Sequence, residues 1–298
     1  MESQNNKNIL ITGASGLLGT AITPQLTEAW TALRHGDAGW DPENGNIDPA
    51  CLQGKTAIIH LAGEPIAAGR WTRKQKQKIY DSRVKGTRAI ATAIAQMEKK
   101  PECLICASAI GIYGSRGEEL LTETSSAGEG YLPELVKEWE AATEPARAAG
   151  VRVVHLRLGV VLSTEGGALA KMLPIFKLGL GGRLGSGRMW MSGVHINDAA
   201  NAFVQALRSK NMSGPYNLTA PSPFRNSEFT QRLSSELRKP AFLPVPAFAI
   251  KIALGEMGEN LLLTSSRVLP KKLQASGFTF HYPDVAHALK NLLNQDSL

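Results

Sequence analysis

The feature that most constrains this chain is a glycine triplet, Gly13-x-x-Gly16-x-x-Gly19, placed between two kinds of patterning. Before it, Asn8-Ile9-Leu10-Ile11-Thr12 has the near-continuous apolar character of a short buried strand. After it, Ile22, Leu26 and Ala29 carry helical spacing over residues 20–29, with Pro24 tolerable only near the helix start. A strand that passes through glycines directly into a helix can bring main chain close to a pyrophosphate. The first glycine permits a tight turn, the second close approach of the backbone, and the third close helix–strand packing. The spacing differs from G-x-G-x-x-G, so placement at the first strand–helix joint carries the assignment. On this basis Gly13, Ala14, Ser15, Gly16, Leu17, Leu18 and Gly19 are expected to hold a dinucleotide.

The rest of the first half repeats the alternation. Strands are predicted at 30–33, 55–62, 104–108 and 151–157, and helices over 71–97 and 135–149. Strands with so few polar interruptions belong to a parallel sheet covered on both faces. After Val161 the texture changes: residues 163–193 are rich in glycine and short on strand patterns. A strand end running into a helix follows at 194–207, then a strand at 216–218 and helices near 229–237 and 245–263. The expected fold class is α/β: a Rossmann-type doubly wound parallel sheet with a small, mostly helical C-terminal lobe. The predicted division is 1–162 with 194–220 for the nucleotide-binding domain, and 163–193 with 221–298 for a substrate-side loop and lobe.

Composition narrows the function classes. Among 298 residues, 43% are apolar and 20% charged, within the range of globular chains. No apolar run reaches the roughly 20 residues of a membrane span, and the polar start lacks a secretory pattern. Three cysteines do not make a disulfide framework. A cytoplasmic protein without a membrane partner is therefore expected. Cys103 and Cys106, three apart on a strand, should point to opposite faces, and no histidine pair has metal-ligand helical spacing, so no metal is expected. The net charge of +7 is concentrated in 70–88, where eight Lys and Arg face one acid, Asp81. With little aromatic interleaving, that stretch is expected to be a solvated helix face and not a nucleic-acid surface.

Cofactor choice is legible at the end of the second strand. An acid there holds a ribose 2′-hydroxyl, whereas arginine accommodates a 2′-phosphate. The chain has Leu33-Arg34-His35-Gly36, with Asp37 only beyond the glycine. The guanidinium of Arg34 matches phosphate oxygens, so NADP(H) is the expected cofactor.

Several motifs together resemble the extended short-chain dehydrogenase/reductase superfamily. They are the glycine loop, His60-Leu61-Ala62-Gly63 and Ser108-x-x-x-Ile112-Tyr113-Gly114. Further segments are similar to its atypical "epimerase family protein" subgroup: Arg70-Trp71-Thr72, Leu184-Gly185-Ser186-Gly187-Arg188, His195-Ile196-x-Asp198, Pro240-Ala241-Phe242-Leu243-Pro244-Val245-Pro246 and Arg267-Val268-Leu269-Pro270-Lys271. The resemblance implies a Rossmann fold and NADP(H) binding, and names no substrate. It places Arg34 and His35 at the adenosine phosphate, Leu61, Ala62 and Gly63 along ribose and pyrophosphate, and Arg83 at the cofactor phosphates. Glu64 and Ala107 complete the cofactor-side set. The chain departs from the subgroup at Met189 and Gly193, where glutamine and tryptophan are usual.

The superfamily's chemistry normally uses a Tyr and a Lys four residues apart, one helical turn, so that both face the nicotinamide. Four residues after Tyr80, Tyr113, Tyr131, Tyr216 and Tyr282 stand Val84, Gly117, Leu135, Ala220 and Ala286. No such pair exists. Ser108 and Tyr131 are the catalytic candidates that remain, with Glu64, His195 and Lys137 as other replacement acids. A small-molecule substrate is expected near 108–114, 179–195 and 216–226, and Arg183 and Arg188 suit an anionic one. Two functions stay open: an NADP(H)-dependent oxidoreductase or epimerase, and a binding or sensing protein without turnover.

Overall fold

The computed structural model describes residues 8–37 and 39–294. Six strands form one sheet: β1 (Asn8–Thr12), β2 (Ala29–Leu33), β3 (Ala57–His60), β4 (Cys103–Ala109), β5 (Arg152–Leu158) and β6 (Gly214–Leu218). All pairings are parallel and the order is β2-β1-β3-β4-β5-β6. The chain runs outward from β1 to β2 and returns to β3 on the other side of β1. The carboxyl ends of β1 and β3 therefore flank a switch point, where a doubly wound sheet opens its ligand crevice.

The apolar strands are explained by the two cores they separate. Ile9, Ile11, Ile59, Cys103 and Ile105 face one layer, and Leu10, Ile58, Leu104 and Cys106 face the other. Cys103 and Cys106 thus lie on opposite faces, as the strand period requires. Burying each large side chain contributes about 1.5–3 kcal/mol, and both faces must be apolar to collect it.

Helix α1 (Leu17–Ile22) is shorter than its spacing suggests, because Pro24 ends it in a 3-10 turn at Thr23–Gln25. The predicted 71–97 helix is α2 (Arg73–Tyr80) and α3 (Gly86–Gln96), joined by a π-helical turn at Asp81–Lys85. The extra residue of that turn buries Ser82 and Val84 on either side of Arg83. Helix α4 (Tyr131–Ala141) packs against β4 through Leu132, Leu135 and Trp139.

The stretch 163–193, expected as loop, contains a helix, α5 (Gly167–Lys177). Its Leu169, Leu173 and Phe176 join a third core with α7 (Asn226–Leu237) and α9 (Val285–Asn294). Between β5 and β6 runs α6 (Ile196–Arg208), under the first core layer. Helix α8 (Ala247–Leu262) bends at Gly255, whose φ of 60° breaks the helix where the Arg70 guanidinium packs. At Gly193, the Phe224 ring and Val160 carbonyl lie 3.2 Å from where a Cβ would sit. Phe224 fills the place that a larger side chain would need.

Candidate functional site

The crevice is built where the glycine loop meets the segment after β3. Gly13 adopts φ +71°, and a Cβ on it would lie 2.9 Å from the Ala62 nitrogen. Ser15 and Gly16 are exposed at the crest of the loop, and the Gly16 N–H closes it on the Gly13 carbonyl at 3.0 Å. Gly19 packs so tightly on Ala14 that a Cβ would come within 2.5 Å of its backbone. Leu17 and Leu18 turn away into the third core, where Leu17 lies against Gly166 and Gly167 at the start of α5.

A buried hydrogen-bond chain sets the height of the second wall. Thr12 and His60 are direct register partners on β1 and β3. The Leu61 and Ala62 N–H groups both donate to Thr12 Oγ1 at 3.2 Å. That hydroxyl therefore donates its own proton to His60 Nδ1, 2.6 Å away. His60 Nε2 carries the ring proton and donates to Thr87 Oγ1 at 3.0 Å, which also accepts from Trp139 Nε1. Burial, assisted by the Arg83 charge, pushes the His60 pKa down to about 4. The ring is neutral, as this pairing demands.

Past Ala62, the π turn supports Gly63 and Glu64 from behind. Ser82 Oγ accepts the Glu64 N–H at 3.0 Å, and Arg83 Nη1 donates to the Glu64 carbonyl at 2.9 Å. The Glu64 carboxylate accepts from Gln75 at 3.0 Å. Arg83 lies over the Trp139 ring and has no carboxylate partner among the described residues. Burial lowers its pKa to about 10.

Tyr131 begins α4 beside this group. Its hydroxyl donates to the Lys76 carbonyl at 3.2 Å, its ring packs on Trp71, and Lys76 Nζ sits 4.7 Å from the ring centre. Burial raises its pKa above the ordinary tyrosine value, against the pull of Arg83. The structure thus brings Glu64, Arg83 and Tyr131 together. Ser108 is held apart from them. It is buried at the end of β4, next to Ala107, and its hydroxyl donates to Glu140 at 2.6 Å. Arg157 grips the same carboxylate with Nε and Nη2, both at 2.8 Å, and donates through Nη1 to Tyr113. Although burial works to raise it, these bonds hold the Glu140 carboxyl below its ordinary range.

Arg34 and His35 are exposed beyond the end of β2. Asp37 there accepts the Arg34 backbone N–H at 2.7 Å. His195, weighed as an acid, instead caps α6: Nδ1 accepts the Asn197 N–H, Nε2 meets Asn291, and the ring stacks on Tyr282 at 3.7 Å. Lys137 is exposed on the outer side of α4. The sequence assigns no role to Thr12, Ser82, Thr87 or Glu140, since a hydroxyl or carboxylate signals nothing until its partner is placed. A separate cavity of about 730 Å³ lies between α3 and the hairpin that pairs Trp40–Asp41 with Asn46–Ile47, and no glycine-loop residue lines it.

The sequence model of the NAD dependent epimerase/dehydratase family matches residues 9–219. That of a domain of unknown function, DUF1731, matches 245–292. Epimerase family protein Mb2239 of Mycobacterium bovis is 40% identical over 293 residues, covering 95% of this chain and 97% of its own length. The human epimerase family protein SDR39U1 (isoform2), solved with NADPH, has a TM-score of 0.87 at 28% identity and covers 96% of this chain and 99% of its own. A nucleoside-diphosphate sugar epimerase of Corynebacterium glutamicum has a TM-score of 0.78 at 33% identity, over 96% of this chain and 58% of its own. No helix among the described residues is long and apolar enough to cross a membrane.

Proposed function

This chain belongs to the NAD dependent epimerase/dehydratase family, and from that membership we propose that it binds NADP(H) and acts as an oxidoreductase or epimerase on a small molecule. The fit of a dinucleotide rests on the glycine loop, whose exposed crest carries no side chain beyond that of Ser15, and on the Gly13–Ala62 contact that closes its base. In this reading Gly13 to Gly19 hold the pyrophosphate, and Leu61 to Glu64 line the ribose side. Ala107 would border the crevice from β4.

The observation that carries the choice of NADP(H) is the exposed Arg34 just past the end of β2, where Asp37, the nearest acid in the chain, is bonded to the Arg34 backbone N–H. A guanidinium there suits a 2′-phosphate, and His35 stands beside it. The NADPH in the human relative agrees with this choice. Arg83 supports the Glu64 carbonyl and supplies positive charge behind Gly63.

The bound nicotinamide supplies hydride chemistry. The chain's own contribution would be a proton from the Tyr131 hydroxyl to the substrate oxygen. A raised phenol pKa keeps that proton in place for donation, with Arg83 to stabilise the phenolate left behind. Arg188, which is exposed, suits an anionic substrate.

A second reading, NADP(H) binding without turnover, is favoured by one observation: the Ser108 hydroxyl is committed to Glu140 and not to the crevice. Titration with NADPH and NADH separates the cofactor question from the chemical one. Arg34→Ala should weaken NADPH by about 10- to 100-fold and leave NADH little changed; equal losses would remove the phosphate assignment. Substrate-dependent NADPH oxidation across carbonyl compounds and sugar nucleotides, lost in Tyr131→Phe, supports the enzyme. Bound NADPH that stays reduced across that panel supports the sensor.

A further inference from the structure

Seven of the ten exposed large apolar side chains among the described residues lie on two segments that meet. Leu178 (74% exposed), Leu180, Phe242 (73%), Leu243, Val245, Phe248 (67%) and Ile252 (71%) come from two segments. The segments are joined by main-chain hydrogen bonds from Leu243 to Gly181, Val245 to Arg183 and Gly185 to Val245. Phe248 and Ile252 are one turn apart on α8 and share its outer side. Every residue from Phe242 to Pro246 is exposed, and none has a polar side chain. A contiguous patch of this kind marks an interaction surface.

Charge selects the partner. Residues 166–197 contain four Lys and Arg and no acid, and residues 237–255 contain three and no acid. Lys177, Arg183, Arg238 and Lys239 border the apolar residues, all four are exposed, and none is in an ion pair among the described residues. A second copy docked by two-fold symmetry would set these cations against themselves. The partner is therefore anionic.

The backbone narrows it further. Pro244 and Pro246 have no N–H, and the N–H groups of Leu243 and Val245 are both bonded within the protein. From Leu243 to Pro246 no main-chain donor is left over, so the loop can enter an apolar medium without stranding one. We propose that this face docks on an anionic lipid surface, with Phe242, Leu243, Val245 and Phe248 at the acyl boundary and Lys177, Arg183, Arg238 and Lys239 at the headgroups. That no helix among the described residues can cross a bilayer does not bear on lying against one. The inference is independent of cofactor and reaction.

The test is co-sedimentation of the full chain with phosphatidylcholine vesicles, with and without phosphatidylglycerol, at low and high salt. Binding to the anionic vesicles alone, reversed by salt, is expected. Arg238→Glu with Lys239→Glu should weaken it by roughly tenfold or more. Phe242→Ser with Phe248→Ser should do likewise, and unchanged melting temperatures of both variants show that the fold is kept. No binding at low salt overturns the proposal, as does binding that ignores phosphatidylglycerol or survives both pairs of substitutions. Retention on polyglutamate without vesicle binding assigns the face to an acidic protein instead. A dimer abolished by the Phe242 and Phe248 substitutions assigns it to self-association.

Discussion

Ser108 Oγ donates a 2.6 Å hydrogen bond to Glu140 Oε1, so the serine at the end of β4 is tied to the ion pair that Glu140 makes with Arg157. The side chains of that pair are only 8% and 14% exposed for Arg157 and Glu140. Removing one partner strands the other. Glu140→Leu should cost about 3–5 kcal/mol of stability, because the buried guanidinium loses its carboxylate. Ser108→Ala, which deletes one hydrogen bond, should cost about 1 kcal/mol. Urea denaturation of the two variants checks the ratio; equal costs would mean that the ion pair is not the anchor.

His60 predicts acid sensitivity. Its folded pKa of about 4 lies below the ordinary 6.5, because burial disfavours the charged ring. The unfolded chain takes up the proton first as pH falls. The contribution is therefore complete above pH 6.5 and is lost as pH falls through about 4, by up to about 3 kcal/mol. The buried His155 shifts in the same direction. Denaturation curves at pH 7 and pH 5 should show the parent losing stability, and His60→Asn should flatten that dependence. An unchanged slope in the variant would show that another group carries it.

Two glycines of the loop should fail in different ways. Gly19→Ala places a Cβ 2.5 Å from the Ala14 backbone, which must move. A loss of about 1–3 kcal/mol in stability follows. At Gly16 the only close atom is the Gly13 carbonyl oxygen, 3.3 Å away, and the position is exposed. Gly16→Asp should leave melting almost unchanged while abolishing NADPH binding. Retained binding in Gly16→Asp would place the pyrophosphate elsewhere.

Asp198 fastens the C-terminal segment to the sheet domain. Its buried carboxylate accepts the backbone N–H groups of His281 and Tyr282, at 3.0 and 2.9 Å. Asp198→Ala leaves both donors unpaired. Faster amide exchange at residues 278–294 is expected, with a stability loss of about 2 kcal/mol. Exchange unchanged in that segment would contradict the role.

Much of this architecture is written locally. The apolar runs at 9–11, 57–59 and 103–107 must be buried on both faces, and only a covered parallel sheet does so. The glycine spacing places the joint of β1 and α1, and Arg34 marks the end of β2, because these depend on residues adjacent in the chain. Pro24 shortened α1 for an equally local reason. Helix α5 was obscured because its glycines, Gly166 and Gly167, come first and its buried positions are few. What the sequence could not decide are pairings across the fold. Thr12 with His60, His60 with Thr87, Ser108 with Glu140, and Arg83 with the Glu64 carbonyl join residues 19 to 48 positions apart. A hydroxyl or carboxylate has the same local signature whether it faces solvent, cofactor or a buried partner. Only packing, which removes water and leaves one partner within reach, settles which of these it meets.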